Sequence, residues 1–297
     1  MESNKENILV PIDFTEKSTI SIDQAVVLAK LIRAEITLLH IMQERNIKFL
    51  NSLFSEESEF EKMKLNYEDK CHKMMLKLAE EIQQKHHIKV FTMLAKGKVY
   101  EKVLEVSEQI FAKFIVVANN GEELDSENTN LGANTSKIIR GAQTPVITVN
   151  NKIFEKIENI VLPLDLTKQT RQKGSKAIEL AKMTGATIRI VSAILTDDKE
   201  IYNRLKALMN QVYQVMVDKG VKCTQEFLCG DKDKDTVASI VVQYAHDINA
   251  DMIMIMTQQE MNWLKFFLGS TAMEIIYKSE MPIMSITPRE LELLHYR

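Results

Sequence analysis

The chain contains one sequence twice. Residues 7–38 align with residues 159–190 without a gap, at an offset of 152, and eleven of those 32 positions are identical. Chance identity at average composition is about two positions over such a span. The shared positions include Asn7/Asn159, Pro11/Pro163, Asp13/Asp165, Thr15/Thr167, Ala29/Ala181 and Ile36/Ile188. The copies also end alike: Gly132, Ile138, Ile139 and Pro145 match Gly269, Ile275, Ile276 and Pro282 at an offset of 137. The second copy is therefore 15 residues shorter in its middle. A short polar stretch, Asn150–Glu158, joins the copies, which sets the expected domains at residues 1–152 and 153–297. Length alone gives the same count, at roughly 150 residues per domain.

Each copy alternates strand and helix patterns. In copy one, Asn7–Ile12, Glu35–Met42, Ile88–Leu94, Phe114–Ala118 and Pro145–Val149 are apolar runs of strand length. Between them, Ile22, Ala25, Val26, Ala29 and Ile32 recur at helical spacing, and Phe60–Lys85, Val99–Phe111 and Thr135–Arg140 read as further helices. Copy two repeats the order, with strands at Ile160–Leu164, Thr187–Ile194, Lys222–Leu228, Met252–Met256 and Pro282–Ile286. Its helices fall at Lys173–Met183, Lys199–Lys219, Thr236–Asp247 and Thr271–Lys278. Continuous apolar strands alternating with helices predict an α/β fold: two open, mainly parallel five-stranded sheets with helices on both faces. The last strands, Pro145–Val149 and Pro282–Ile286, are the expected contact between copies, since an uncovered edge invites pairing.

Composition narrows the function classes. Hydrophobic residues at 45% and charged residues at 27% exclude a disordered chain. A net charge of −3 gives no nucleic-acid footprint, and no apolar run is long enough to span a bilayer. The N-terminus lacks an apolar signal region, so a cytoplasmic location is expected. Three cysteines exclude a disulfide scaffold; Cys223 and Cys229, six residues apart, are too distant in a strand to pair. Sixteen methionines could form a soft-metal surface, but Met252, Met254 and Met256 alternate with isoleucines as core residues do. No P-loop, G-x-S-x-G elbow, H-E-x-x-H or paired C-x-x-C occurs, so an enzyme is not favoured and no catalytic or metal residue is assigned.

Parallel sheets bind ligands beyond the carboxyl ends of their strands, so the loops after strands one and four are the informative ones. After strand one stand Val10-Pro11-Ile12-Asp13-Phe14-Thr15 and Leu162-Pro163-Leu164-Asp165-Leu166-Thr167. The loops after strand four end in Leu131-Gly132-Ala133-Asn134 and Leu268-Gly269-Ser270-Thr271. The opening Ile8-Leu-Val-Pro-Ile-Asp13, the strand end Leu38-Leu-His-Ile41 and the Gly-Ser, helix, Pro-strand ending together resemble the universal stress protein family, in a tandem form that covers nearly the whole chain. That resemblance implies a Rossmann-like sheet. In one branch of the family it implies ATP held by Gly, two residues, Gly, nine residues, then Gly-Ser or Gly-Thr, with the Asp after strand one on the adenosine. The other branch lacks this pattern.

The glycines let backbone N–H groups approach phosphate, and the following helix N-terminus adds its dipole. Neither copy keeps the whole pattern. Copy one has Ala118, Gly121, a ten-residue spacer and Gly132-Ala133. Copy two keeps the nine-residue spacer and Gly269-Ser270, but Met256 and Gln259 stand at the loop glycines. By this resemblance a nucleotide, ATP or AMP, would meet Pro11, Asp13, Ile41, Ala118, Gly121, Gly132, Ala133 and Asn134 in copy one. In copy two it would meet Asp165, Gly269, Ser270 and Thr271.

Plainer readings of the same residues stay open. Asp13 and Asp165 could cap the following helix instead of touching a ligand. Thr271 and Glu274 fit a capping box. His40 reads as a satisfied interior histidine, His86-His87 as a solvated helix end, and Trp263, Phe266 and Phe267 as packing over the loop or a partner patch. Three functions follow: a tandem stress-response binding module with a degenerate site and no turnover, an ATP- or AMP-binding protein with the ligand in copy one, and a scaffold using the Trp263 region. The two copies are expected to form an intramolecular pseudo-dimer, with further pairing as a homodimer open.

Overall fold

The computed structural model describes residues 5–43, 57–119, 123–124, 128–129, 132–150, 152–165, 170–257 and 270–287. The chain divides into two compact units, Met1–Ala118 and Asn119–Arg297.

The first unit holds β1 (Asn7–Ile12), α1 (Glu16–Ile32), β2 (Glu35–Met42), α2 (Glu57–His86), β3 (Val90–Lys96), α3 (Val99–Gln109) and β4 (Phe114–Ala118). Its strands run parallel in the order β4-β1-β2-β3. The apolar runs explain this: Ile8, Leu9 and Val10 of β1, and every residue of β4, are buried. Such strands need cover on both faces. Helix α1 starts where the Thr15 hydroxyl accepts from the Ser18 amide, and it ends at Arg33, whose left-handed backbone (φ 58°) sends its N–H to Ala29. Its counterpart in copy two, α5 (Thr170–Thr184), has similar length. Part of the extra length of copy one lies in α2, which has 30 residues against 20 for α6 (Lys199–Asp218).

The second unit continues with β5 (Glu123–Leu124), β6 (Asn128–Thr129), α4 (Ala133–Gly141) and β7 (Val146–Val149). The strands of copy two follow: β8 (Asn159–Pro163), β9 (Thr187–Ile194), β10 (Cys223–Cys229), β11 (Met252–Met256) and β12 (Ile283–Ile286). Helices α7 (Val237–Asp247) and α8 (Ser270–Lys278) complete it. β5 and β6, inside the loop expected after strand four, form a short antiparallel ribbon. The five strands of copy two are parallel in the order β10-β9-β8-β11-β12. β7 then pairs antiparallel with β12, with Thr148 opposite Ile283, Ile147 opposite Met284 and Val146 opposite Ser285. This is the expected pairing of the two last strands, and it explains why the fifth strand of copy one belongs to the second compact unit. Ile147 and Met284 occupy equivalent repeat positions, so the pairing is self-complementary, as in an isologous dimer interface. Two repeats within one chain thus fit an intramolecular pseudo-dimer.

The methionines of β11 are buried, as their alternation implied. All three cysteines are free thiols. Among the described residues, no helix is long and apolar enough to cross a membrane.

Candidate functional site

In both copies the central strand separates from its strand-four neighbour before its end. β1 stays in register with β2 over six residues, Asn7–Ile12, but with β4 only at Ile8 and Leu9. β8 likewise follows β9 from Asn159 to Pro163, but pairs with β11 only at Ile160 and Val161. Each sheet therefore opens at its carboxyl end, where strand order reverses. That is the physical definition of a ligand crevice in a parallel sheet.

Carbonyl directions alternate along a strand. The Asp251 amide donates to Asn159 O and the Lys113 amide to Asn7 O, so the odd-numbered carbonyls of β8 and β1 face β11 and β4. The carbonyls of Pro163 and Pro11 consequently point into the two crevices.

What meets those carbonyls differs between copies. In copy two, Lys173 reaches back from α5 and its Nζ donates to Pro163 O at 2.8 Å. Lys173 is only 4% exposed. Burial pushes its amine pKa down, opposed by the negative charge of Asp165. A cation buried in this way needs compensating partners, and the crevice supplies a carbonyl and a carboxylate. In copy one the matching position is Ser21, also buried, whose short hydroxyl donates to the Ser18 carbonyl on its own helix. The Lys173 amine thus fills the crevice of copy two, and no comparably long side chain stands at that position in copy one. Sequence reasoning missed Lys173. The repeat alignment carried the signal: a lysine on a helix face where the other copy has a buried serine.

Among the expected copy-one residues, Pro11, Asp13, Ile41 and Ala118 lie together at the carboxyl ends of the adjacent strands β4, β1 and β2. Ile41 and Ala118 are buried, Pro11 is half-buried and Asp13 is exposed. Asp13 does not itself cap α1. Its Oδ1 accepts from the Thr15 amide at 3.1 Å and the Thr15 hydroxyl at 2.6 Å, and Thr15 is the cap. Next to Asp13, Phe14 has a left-handed backbone (φ 62°), uncommon for a bulky residue. Its ring lies 4.7 Å from the imidazole of His40.

In the second unit, Gly132 is the N-cap of α4, and Ala133 and Asn134 are exposed in its first turn. Gly132 has φ −51°, a backbone that any residue adopts. Asp165 is half-buried after β8; Ser270 is exposed and Thr271 half-buried in the first turn of α8. The capping box expected from Thr271 and Glu274 does not form. Glu274 instead accepts from the Thr236 hydroxyl at 2.7 Å and pairs with Lys278 at 2.7 Å. A capping box occurs at the start of α7, between Thr236 and Ser239. The competing partner of Glu274 comes from another helix, which local spacing cannot show. Gly121, Gly269, Gln259, Trp263, Phe266 and Phe267 lie outside the described residues.

His40 corrects one expectation. Its Nδ1 is 2.9 Å from Ile12 O, but its Nε2 is buried with no hydrogen-bond partner among the described residues. It is a half-satisfied interior histidine. Among the described residues, no group of three or more His, Cys, Asp or Glu side chains is placed to hold a metal ion.

Comparison with known proteins agrees with this architecture. The sequence model of the universal stress protein family matches residues 5–150 and again residues 156–286. The chain therefore belongs to the universal stress protein family, in tandem form. A universal stress protein of Methanocaldococcus jannaschii is 25% identical over 157 residues, spanning 50% of this chain and 96% of its own length. The crystal structure of a universal stress protein from Archaeoglobus fulgidus has the same fold. It covers 97% of this chain and 98% of its own, with a TM-score of 0.72 at 17% identity. A Pseudomonas aeruginosa structure covers 96% of this chain and 93% of its own, with a TM-score of 0.63 at 16% identity.

Proposed function

We propose that this chain is a tandem stress-response binding module of the cytoplasm that works without turnover, and that its one usable nucleotide-type site lies in repeat one. The reading takes the two repeats as domains 1–152 and 153–297, each with an eroded phosphate cradle. One observation carries the asymmetry. The Lys173 amine occupies the crevice of repeat two on the Pro163 carbonyl, whereas the matching Ser21 of repeat one is short and bonded to its own helix. A ligand competing for the repeat-two crevice would have to displace a buried amine bonded to the Pro163 carbonyl. In repeat one it would meet Pro11, Asp13, Ile41 and Ala118 at the open end of the sheet. ATP or AMP is the ligand that the family resemblance suggests. The exposed Asp13 carboxylate, held in place by Thr15, is positioned to accept from ligand hydroxyls.

Thermal-shift titration with ATP–Mg²⁺ and with AMP tests this. A ligand that binds only the folded state raises its stability by RT ln(1 + [L]/Kd), about 2.7 kcal/mol at a hundredfold excess over Kd. The expected result is a melting shift at millimolar ligand, a stoichiometry of one per chain, and no release of phosphate on prolonged incubation. Ser21→Lys, which transplants the plug of repeat two, should abolish the shift while melting near wild type without ligand. Asp13→Asn should weaken it. No shift in the wild type, or two equivalent sites, overturns the reading.

A further inference from the structure

We infer that His40 is the specificity-determining residue of the repeat-one site, reading the exocyclic amine of a flat heteroaromatic ligand, with the Phe14 ring as the cover that moves aside for it. This rests on the repeat-one reading above.

His40 sits on β2 in register with Ile12 of the central strand. It is 7% exposed. The Nδ1 atom lies 2.9 Å from the Ile12 carbonyl, which can only accept, so Nδ1 carries the proton of that hydrogen bond. In the neutral ring Nε2 is then a bare acceptor. It is buried, and among the described residues nothing donates to it. An unsatisfied buried acceptor costs free energy, and its persistence calls for a cause.

Repeat two supplies an internal control. Ser192 stands 152 positions after His40, and Leu164 stands 152 after Ile12. The Ser192 hydroxyl donates to the Leu164 carbonyl at 3.1 Å. Both repeats therefore fasten the second strand to the end of the first through the same bond, and a serine suffices. The second nitrogen of His40 is surplus to that structural task.

Phe14 adds an independent observation. Its left-handed backbone is unfavourable for a bulky residue, and its ring lies against the imidazole at 4.7 Å, tilted by 43°. A strained backbone beside an unsatisfied acceptor, one residue from Asp13, is the kind of stored cost that concentrates at ligand sites. With the tilted Phe14 ring moved aside, a flat ring approaching the imidazole edge, in the plane that holds the Nε2 lone pair, would bring a donor to Nε2. The chemistry that fits is an amino-substituted base; a carbonyl at the same ring position would set lone pair against lone pair.

The test compares ATP with ITP, in which the exocyclic amine is a carbonyl, by calorimetry on the full chain. Wild type should prefer ATP by about tenfold or more, as sites built around one hydrogen bond reject the analogue lacking it. His40→Ser copies repeat two, so it should fold normally, retain ATP binding at reduced affinity, and lose the discrimination. Phe14→Gly accepts the left-handed backbone and removes the cover, and should tighten ATP binding severalfold. Equal binding of ATP and ITP by wild type, or an unchanged ratio in His40→Ser, overturns this inference alone. Weaker or unchanged ATP binding by Phe14→Gly overturns the role of the cover. A wild-type chain that binds neither nucleotide overturns the repeat-one reading and this inference with it.

Discussion

The side-chain amide of Asn150 donates to the main-chain carbonyl of Ile276 at 3.2 Å. The relationship is returned: the Thr287 hydroxyl donates to the Ile139 carbonyl at 3.2 Å. Thr287 stands 137 positions after Asn150, and Ile276 stands 137 after Ile139, the offset that relates the ends of the repeats. The residue that follows each last strand therefore bonds the last helix of the other repeat. Asn150 also donates to the Ser279 carbonyl, just beyond α8.

These reciprocal bonds should hold the β7–β12 pairing in register. Asn150→Ala removes two hydrogen bonds from a partly buried site and is expected to cost about 1–3 kcal/mol, with Thr287→Val costing about 1 kcal/mol. Urea unfolding of both single variants and the double variant measures this. The two losses should add, because the bonds share no partner.

The same pairing contains two buried hydroxyls without partners among the described residues, Thr148 Oγ1 and Ser285 Oγ. They too are repeat equivalents, 137 positions apart. Both sit on one face of the two-strand ribbon, because each stands opposite an apolar residue of the other strand, Ile283 and Val146. Replacing an unsatisfied hydroxyl by a methyl of the same shape removes its desolvation penalty. Thr148→Val is expected to raise stability by roughly 1 kcal/mol, and Ser285→Ala by less. A higher urea midpoint with an unchanged slope is the expected signature; a lower midpoint would mean that these hydroxyls hold an ordered water.

The duplication, the strands themselves and the pairing of the two last strands were legible because burial writes itself into sequence as apolar runs; the lateral order of the strands was not, because an apolar run does not name its neighbour. β4 and β11 are buried at every position, and both read as strands. The site was less legible. Asp13 and Thr15 are two residues apart and either type can cap a helix; only the folded geometry shows Thr15 capping and Asp13 holding Thr15. Lys173 broke the rule that charged residues face water, so hydropathy does not place it in a crevice, and only its alignment with Ser21 of the other repeat marks it out. The two nitrogens of His40 are identical in sequence and differ only in what the fold brings to each.

Thr236 links two helices of repeat two. Its hydroxyl accepts from the Ser239 amide at 3.0 Å and donates to Glu274 at 2.7 Å. Thr236→Val loses both bonds and should cost about 1–2 kcal/mol. It should also alter acid stability. Burial pushes the Glu274 carboxyl up, but the bonds from Lys278 and Thr236 outweigh it and hold the pKa below its ordinary value. A carboxyl depressed on folding contributes stability that is present above its unfolded pKa of about 4.3 and lost as pH falls through the folded value. The stability gap between wild type and Thr236→Val should therefore narrow on acidification below about pH 4, measured by urea midpoints from pH 3 to 7.

Lys173 makes the opposite prediction at alkaline pH. Burial depresses its amine pKa in the folded state, against the opposing pull of Asp165. Unfolded, a lysine keeps its proton up to about pH 10.4. Between the folded and unfolded values the unfolded chain binds more protons, so this residue adds stability as pH rises. Lys173→Met fills similar space and cannot titrate. The stability of wild type relative to Lys173→Met should climb with pH through that window, with a slope of up to about 1.4 kcal/mol per pH unit. Asp165→Asn removes the charge that opposes the depression, so it should start the climb at lower pH. Urea unfolding from pH 7 to 10 decides: a flat difference would mean that the amine keeps its ordinary pKa, and that the crevice of repeat two is open to solvent.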